Sequence, residues 1–295
     1  MAETALALAQ KAAQLFRERG FENARLEAEL LLAGVLGLKR LELYTQFDRP
    51  IDDVELEAFR SHVRRRLKHE PLQYILGDVE FRTLRLKVDR RALIPRPETE
   101  ILVGVVLEHL QRHATNAPRV LDLGTGSGAI ALAILAEHPA ATAVATDASL
   151  DALALAGENA ALSGLAGRLE LRHGDLWAAV PADEAFDVVV SNPPYVAEAD
   201  APGLAPEVRE WEPERALFAA SNGMAVLERV VDGAARHLLP GGLLAVELGL
   251  GQAAAVAARI DATGAFEAAR TTDDLTGRPR IVSAVRAGPN PTVAT

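Results

Sequence analysis

VLDLGTGSGAIAL, residues 120–132, sets a short apolar run against glycines at 124, 126 and 128, then returns at once to small apolar residues. The first part reads as a buried strand and the last as the start of a helix. Glycines between them let the backbone turn tightly and approach a ligand without a Cβ in the way. Three readings are open for such a turn: a dinucleotide site, another nucleoside site, or plain strand–helix packing. A dinucleotide site wants a third glycine at position 129. Ala129 stands there, which some variants permit, but Asp122 ahead of the glycines is less expected.

Outward from this turn, strand and helix patterns alternate to the end of the chain. Strands are expected at RVLDLG, TAVATD, LELRHGD, FDVVVSNPPY, LLAVELG, FEAARTTD and PRIVSAVR, with helical stretches such as LDALALAGENAALSG and MAVLERVVDGAARHLLPGG between them. That alternation implies βαβ units and an α/β fold with a mainly parallel sheet covered on both faces. In such a sheet ligands sit at the carboxyl ends of the strands. The second strand ends in Asp147, whose carboxylate suits both hydroxyls of a ribose and equally suits capping of the next helix. The third ends in HGDLW, where Asp175 suits an adenine amino group. Trp177 either covers the adenine ring or packs into the core. The turn, Gly124, Thr125, Gly126, Ser127 and Gly128, holds no Lys or Arg for a phosphate. A nucleoside with a cationic appendage fits this acidic edge, and S-adenosylmethionine (SAM) is the natural candidate.

The fourth strand, VVVSNPPY over 188–195, breaks from three valines into Asn192, Pro193, Pro194 and Tyr195. Asn192 offers a side-chain carbonyl, the prolines offer backbone carbonyls and no donors, and Tyr195 offers a flat face. This is a receptor for a planar group carrying an NH2. The nitrogen of an amide or aromatic amine is a poor nucleophile because its lone pair is delocalised. Two acceptors in fixed positions can draw it out of plane and aim it at a methyl group, with proton loss following transfer. Asn192, Pro193 and Tyr195 are the candidate catalytic residues. Asn192 is also expected beside the cofactor, and all four residues 192–195 around the substrate.

Upstream, residues 1–70 read as helices: TALALAQKAAQLFRERG, NARLEAELLLAGVLG with Asn23 as N-cap, and a third from Asp52–Asp53 to Pro71. Its VRRRLK run reads as a solvated face balanced by nearby acids, or as a docking patch. YILGDVEFRTLRLKVD, 74–89, alternates and suggests a hairpin, and TEILVGVVLEHLQRH is helical. The expected organisation is a helical unit over 1–72, a hairpin linker over 73–94, an α/β domain over 95–287 and a flexible tail over 288–295. Residues 1–77 carry 12 basic and 12 acidic side chains, so the net charge of −10 lies entirely in the remainder. An acidic domain repels polyphosphate, so duplex nucleic acid is a poor substrate expectation. The chain has no cysteine, which excludes disulfides and thiolate metal sites, and no metal site is expected. Glu3 and the lack of a basic segment ahead of the Ala/Leu stretch argue against a signal peptide; no membrane span and a cytoplasmic location are expected.

LDLGTGSGAI, Asp147, GDLW and NPPY together resemble SAM-dependent methyltransferases acting on planar amino nitrogens. EPLQYILGDVEF, LIPRPETE, WEPERALF, ELGLGQ and DLTGRPRI resemble the HemK/PrmC family over essentially the full length. That resemblance implies a Rossmann-like domain, its mostly parallel seven-stranded sheet ending in an antiparallel hairpin, behind a small helical bundle that docks the substrate. It implies transfer of a methyl group from SAM to the glutamine of a Gly-Gly-Gln motif in class-I peptide chain release factors, with no direct role for nucleic acid or membrane. Gly124 to Gly128 and Asp147 would hold the cofactor with Trp177 near its adenine, and Asn192 to Tyr195 the glutamine. Arg96, Glu98 and Thr99 would lie close to the site, although Glu98 is equally accounted for as an acid in the first turn of a helix. The rival readings are a glutamine methyltransferase of a ribosomal protein, an adenine or guanine methyltransferase on nucleic acid, and a SAM-binding module without activity.

Overall fold

The structure, a computed structural model, describes residues 4–113 and 116–288. From residue 289 onward the expected tail lies outside the described residues. Two compact units are present: Met1–Asp78 with Ala205–Trp211, and Val79–Leu204 with Glu212–Thr295.

The first unit is helical. Helix α1 (Ala5–Glu18) is capped by the Thr4 hydroxyl, which accepts from the Ala7 amide. Helix α2 (Ala24–Leu36) starts after Asn23, whose side chain makes no capping bond, and stops at Gly37 in the left-handed region. A short α3 (Glu42–Thr45) precedes α4 (Asp53–Arg66), whose Asp52 and Glu55 form a reciprocal capping box. Helix α4 ends earlier than its pattern suggests, and α5 (Leu72–Leu76) comes next, closed by Gly77. The first three residues of the stretch read as a hairpin, Tyr74 to Leu76, are therefore helical. Tyr74 and Ile75 are buried, Ile75 in a core with Phe16, Leu31, Leu32 and Phe59, and this tertiary burial decides the local structure. The VRRRLK run is balanced by acids: Arg64 pairs with Glu57 and Arg65 with Glu70. Arg66 instead is buried between Glu27 and Glu207, the latter in the short helix Pro206–Trp211.

The second unit opens with the hairpin strands β1 (Asp78–Phe81) and β2 (Leu84–Lys87). Then come α6 (Pro97–Arg112), β3 (Arg119–Leu123), α7 (Ala129–Glu137), β4 (Thr142–Asp147), α8 (Leu150–Leu162), β5 (Leu169–His173) and β6 (Phe186–Ser191). Past α9 (Pro206–Trp211), which belongs to the helical unit, lie α10 (Glu214–Leu217), α11 (Ala225–His237), β7 (Leu238–Glu247), α12 (Ala253–Ala262), β8 (Arg270–Asp273) and β9 (Pro279–Val285). The seven strands lie in the order β5-β4-β3-β6-β7-β9-β8. All neighbours are parallel except β7–β9 and β8–β9. The seven-stranded sheet with its antiparallel end agrees with what the family resemblance implies. Gly277, with φ 76°, makes the last turn, where Asp274 accepts from the Thr276 and Arg278 amides. LLPGG, expected to close a helix, is instead the start of β7, paired at Leu238 with Phe186.

The buried valines of β6 show how the sheet holds two cores. Val188 and Val190 join one with Leu102, Leu132 and Leu86, while Val189 joins the other with Leu121, Leu244 and Val230. Their alternation along one strand fixes the register, because a slip of one residue would exchange the two faces.

The glycine turn is tied to the hairpin by Asn159 of α8, which is fully buried. Its Oδ1 accepts from the Lys87 amide at 2.7 Å, and its Nδ2 donates to the Lys87 carbonyl at 3.0 Å and the Ser127 carbonyl at 2.9 Å. Replacing Asn159 by Ala removes three hydrogen bonds to the backbone, one of them to the buried Ser127 carbonyl, so urea unfolding is expected to show a loss of about 2–4 kcal/mol. A loss below about 0.5 kcal/mol contradicts this role.

Candidate active site

The in-register pairing of three strands builds the site. Leu123 at the end of β3 pairs with Thr146 on one side and Ser191 on the other. The residues just beyond, Gly124, Asp147 and Asn192, therefore leave the sheet side by side. All three line one cavity of about 410 Å³, a size within the range of small-molecule sites, roughly 300–1,000 Å³.

Thr125, Gly126, Ser127 and Asp175 also line this cavity. Gly124 and Gly126 have φ of 74° and 57°, a conformation other residues rarely adopt. The Asp147 carboxylate receives the Gly126 amide at 2.9 Å on one oxygen and the Ser149 amide at 2.8 Å on the other. Ser149, not Asp147, caps α8. Asp147 thus holds the turn while keeping acceptor capacity toward the cavity. Asp122, fully buried, supports the turn from behind, accepting from the Thr125 hydroxyl at 2.6 Å and the Ala131 amide. Burial pushes its carboxyl up to about 7.

Four expected residues do not line the cavity. Gly128 is the N-cap of α7, where a Cβ would come within 3.2 Å of Ala156 and Leu132, so its small size serves packing. Trp177 turns away. Its ring stacks on His237 with centroids 5.0 Å apart, its Nε1 donates to the Arg229 carbonyl at 2.7 Å, and it lies against Gly233. Trp177 is half-buried against the second core, and its neighbour Leu176 lines the cavity instead. Leu176 has a φ of 50°, and this left-handed backbone directs the pair. Pro193 is buried away from the cavity, while Pro194 lines it. Tyr195 packs against the second core and donates its hydroxyl to Glu247 at 3.3 Å. Burial and the Glu247 carboxylate push that hydroxyl well above the ordinary phenol range.

Residues to which the sequence assigns no separate role complete the surround. Arg96 pairs with the buried Glu212, which also accepts from the Ile94 amide at 3.2 Å, joining the IPRPETE and WEPERALF segments. Thr99 is buried and lines the cavity. Its hydroxyl donates to Glu247 Oε2 at 2.7 Å and receives Asn192 Nδ2 at 3.1 Å. Glu98 lies in the first turn of α6, where an acid is favoured by the helix dipole alone. Glu247 is the overlooked residue. Its signal was a lone acid ending the apolar run LLAVE.

The residues present fit a SAM-sized ligand: an open glycine turn, two carboxylates at Asp147 and Asp175, and an apolar wall that includes Ile130, Leu176 and Phe218. Comparison with known proteins bears directly on this fit. The chain matches the family described as "PrmC N-terminal domain" over residues 7–77 and the "Methyltransferase small domain" over 99–207. It is 46% identical over 265 residues to a release factor glutamine methyltransferase of Geobacter sulfurreducens, covering 90% of each chain. A second, of Deinococcus radiodurans, is 44% identical over 282 residues, covering 95% of this chain and 98% of that one. The chain belongs to the release factor glutamine methyltransferase family. A T. thermophilus 16S rRNA methyltransferase solved with AdoMet and guanosine shares the fold, with a TM-score of 0.52 and 19% identity over 71% of this chain and 49% of that one. The enzyme class and the SAM cofactor read from the sequence agree with this family. Among the described residues no helix is long and apolar enough to cross a membrane.

Two substitutions separate the cavity from its surroundings. Asp147→Ala is expected to weaken SAM binding by about 1.5–3 kcal/mol, the cost of losing a charged acceptor. Trp177→Phe keeps an aromatic ring off the cavity and loses the bond to Arg229 with part of the packing against Gly233, so its SAM affinity should stay within about twofold of the wild type. Calorimetry on the two folded variants checks both, and the reverse pattern contradicts the geometry.

Proposed function

We propose that this protein transfers the methyl group of SAM to the side-chain nitrogen of the glutamine in the Gly-Gly-Gln motif of class-I peptide chain release factors. The observation that carries the reading is that Asp147 and Asn192, read respectively as nucleoside and amide receptors, line one cavity in a chain that belongs to this family. When bound, SAM supplies an electrophilic methyl group.

In this reading the glycine turn, Asp147 and Asp175 hold the nucleoside, with Leu176 in the place expected of Trp177. Asn192 Oδ1 and a proline carbonyl of the same turn accept the two N–H bonds of the target amide. Their pull localises the nitrogen lone pair and orients it, a positioning effect that needs no general base. The helical unit is the part read as docking the protein substrate. Its neutral charge and lack of a cofactor motif support that assignment. Neither nucleic acid nor membrane takes part in this reading, and the acidic surplus of the α/β unit supports the first exclusion. A cysteine-free composition suits a cytoplasmic location.

The direct test offers purified protein and tritiated SAM a release factor, ribosomal proteins, DNA and RNA in parallel. Label is expected in the release factor at its Gly-Gly-Gln glutamine, and label in any other substrate alone overturns the assignment. Asn192→Ala should retain SAM binding while the single-turnover rate falls by roughly 10²–10³, comparable to losing one preorganised partner of the transition state. An unchanged rate removes Asn192 from the chemistry.

A further inference from the structure

The amide of Asn192 is useful only in one orientation. Accepting from a target NH2 requires Oδ1 to face the cavity, yet a primary amide turned by a half-rotation occupies the same space with a donor in that place. Something must distinguish the two faces. Asn192 Nδ2 donates to Thr99 Oγ1 at 3.1 Å, and Thr99 Oγ1 donates its single proton to Glu247 Oε2 at 2.7 Å. The other oxygen, Oε1, receives the Tyr195 hydroxyl at 3.3 Å. Thr99 and Glu247 are both buried, at 4% and 1% exposure, so water does not compete for these bonds.

We infer that Glu247 and Thr99 are positioning residues that fix the direction of the Asn192 amide by deciding which way the protons of the chain point. A carboxylate is an acceptor only, so Thr99 must spend its hydroxyl proton on Glu247. With that proton committed, Thr99 offers Asn192 an acceptor and nothing else. The NH2 end of the amide turns toward Thr99 and the oxygen is left for the substrate. Tyr195 holds the opposite carboxylate oxygen, which gives this residue of the NPPY turn a task although it lies off the cavity. The inference deepens the proposed function and rests on Asn192 being the receptor of the target amide.

A consequence concerns pH. Protonated Glu247 becomes a donor to Thr99, whose own proton is then free to point at Asn192 Oδ1 and favour the unproductive face. Burial pushes the Glu247 carboxyl up to about 7. Of the charged groups around it, Glu98 on α6 opposes ionisation and Arg280 on β9 favours it, while the Thr99 and Tyr195 hydroxyls stabilise the carboxylate. Ionised Glu247 prevails above that value, so turnover is expected to be flat from about pH 8 upward and to fall about tenfold by pH 6.

The test measures single-turnover methylation of a class-I release factor, with SAM affinity as the control for folding. Thr99→Val keeps the shape and removes both the donor and the acceptor. Its rate should drop about 10–100-fold with SAM affinity within about twofold, and Thr99→Ser should recover most of the rate. In an Asn192→Ala background, Thr99→Val should cost nothing further, because it acts through Asn192. Glu247→Gln, nearly the same size, should abolish the fall in rate between pH 8 and pH 6. If Thr99→Val keeps the wild-type rate while Asn192→Ala is impaired, the inference alone is overturned. Additive losses in the double variant, or an acid limb that survives in Glu247→Gln, overturn it too. If Asn192→Ala itself is unimpaired, the proposed reading of the site fails and this inference fails with it.

Discussion

The arrangement depends on parallel pairing in register. Because Leu123 faces both Thr146 and Ser191, three chains leave the sheet at one level, and the loops that leave the three strands become neighbours of one another. Adjacent strands lie about 4.8 Å apart, so Asp147 and Asn192, one strand to either side of the glycine turn, emerge roughly 10 Å from each other across it. That span suits a nucleoside at one side and a transferable group at the other. A slip of one residue in either pairing would also exchange the two buried faces, which bind the sheet to different helices. The packing that stabilises the fold and the alignment that makes the site are the same constraint.

The turn itself is held from several sides. Asp147 accepts from the Gly126 amide, Asp122 accepts from the Thr125 hydroxyl, Asn159 Nδ2 donates to the Ser127 carbonyl, and Ser191 Oγ donates to the Leu123 carbonyl at 2.7 Å. Each of these partners comes from a different position in the chain, and three of the four are fully buried. A loop built from glycines is entropically costly to order, and these bonds restrict it before any ligand arrives. Preorganisation of this kind lets binding energy go to orienting the reacting groups.

The sequence carried the succession of strands and helices, the mainly parallel sheet and the edge on which a ligand sits, because these follow from period and punctuation, while the antiparallel terminal hairpin came from the family resemblance. It did not carry the side-chain directions within a turn. Asp175, Leu176 and Trp177 are consecutive, and a single left-handed residue decides that the leucine and not the tryptophan meets the cavity. An aromatic residue beside a nucleoside motif attracts a stacking role, yet the space against Gly233 and His237 takes it first. Tyr74 and Ile75 show the same limit at the level of elements, since a short apolar run fits a strand as well as a helix until tertiary burial makes it a helix. Glu247 was harder still. Its meaning depends on Thr99, 148 residues away, and only the three-dimensional arrangement puts the two together.

The strand order has a consequence for how the molecule is made. The last strand, β9, inserts between β7 and β8, so that Glu247 pairs with Ile281. A nascent chain that ends before Pro279 has the glycine turn, Asp147 and Asn192 already synthesised, but β7 then presents an open edge and Glu247 lacks the neighbour that helps to bury it. The polar chain behind Asn192 therefore closes only when the final strand is delivered. Truncation within the last hairpin, far from the cavity in sequence, strikes the chemistry as directly as a change in the turn itself.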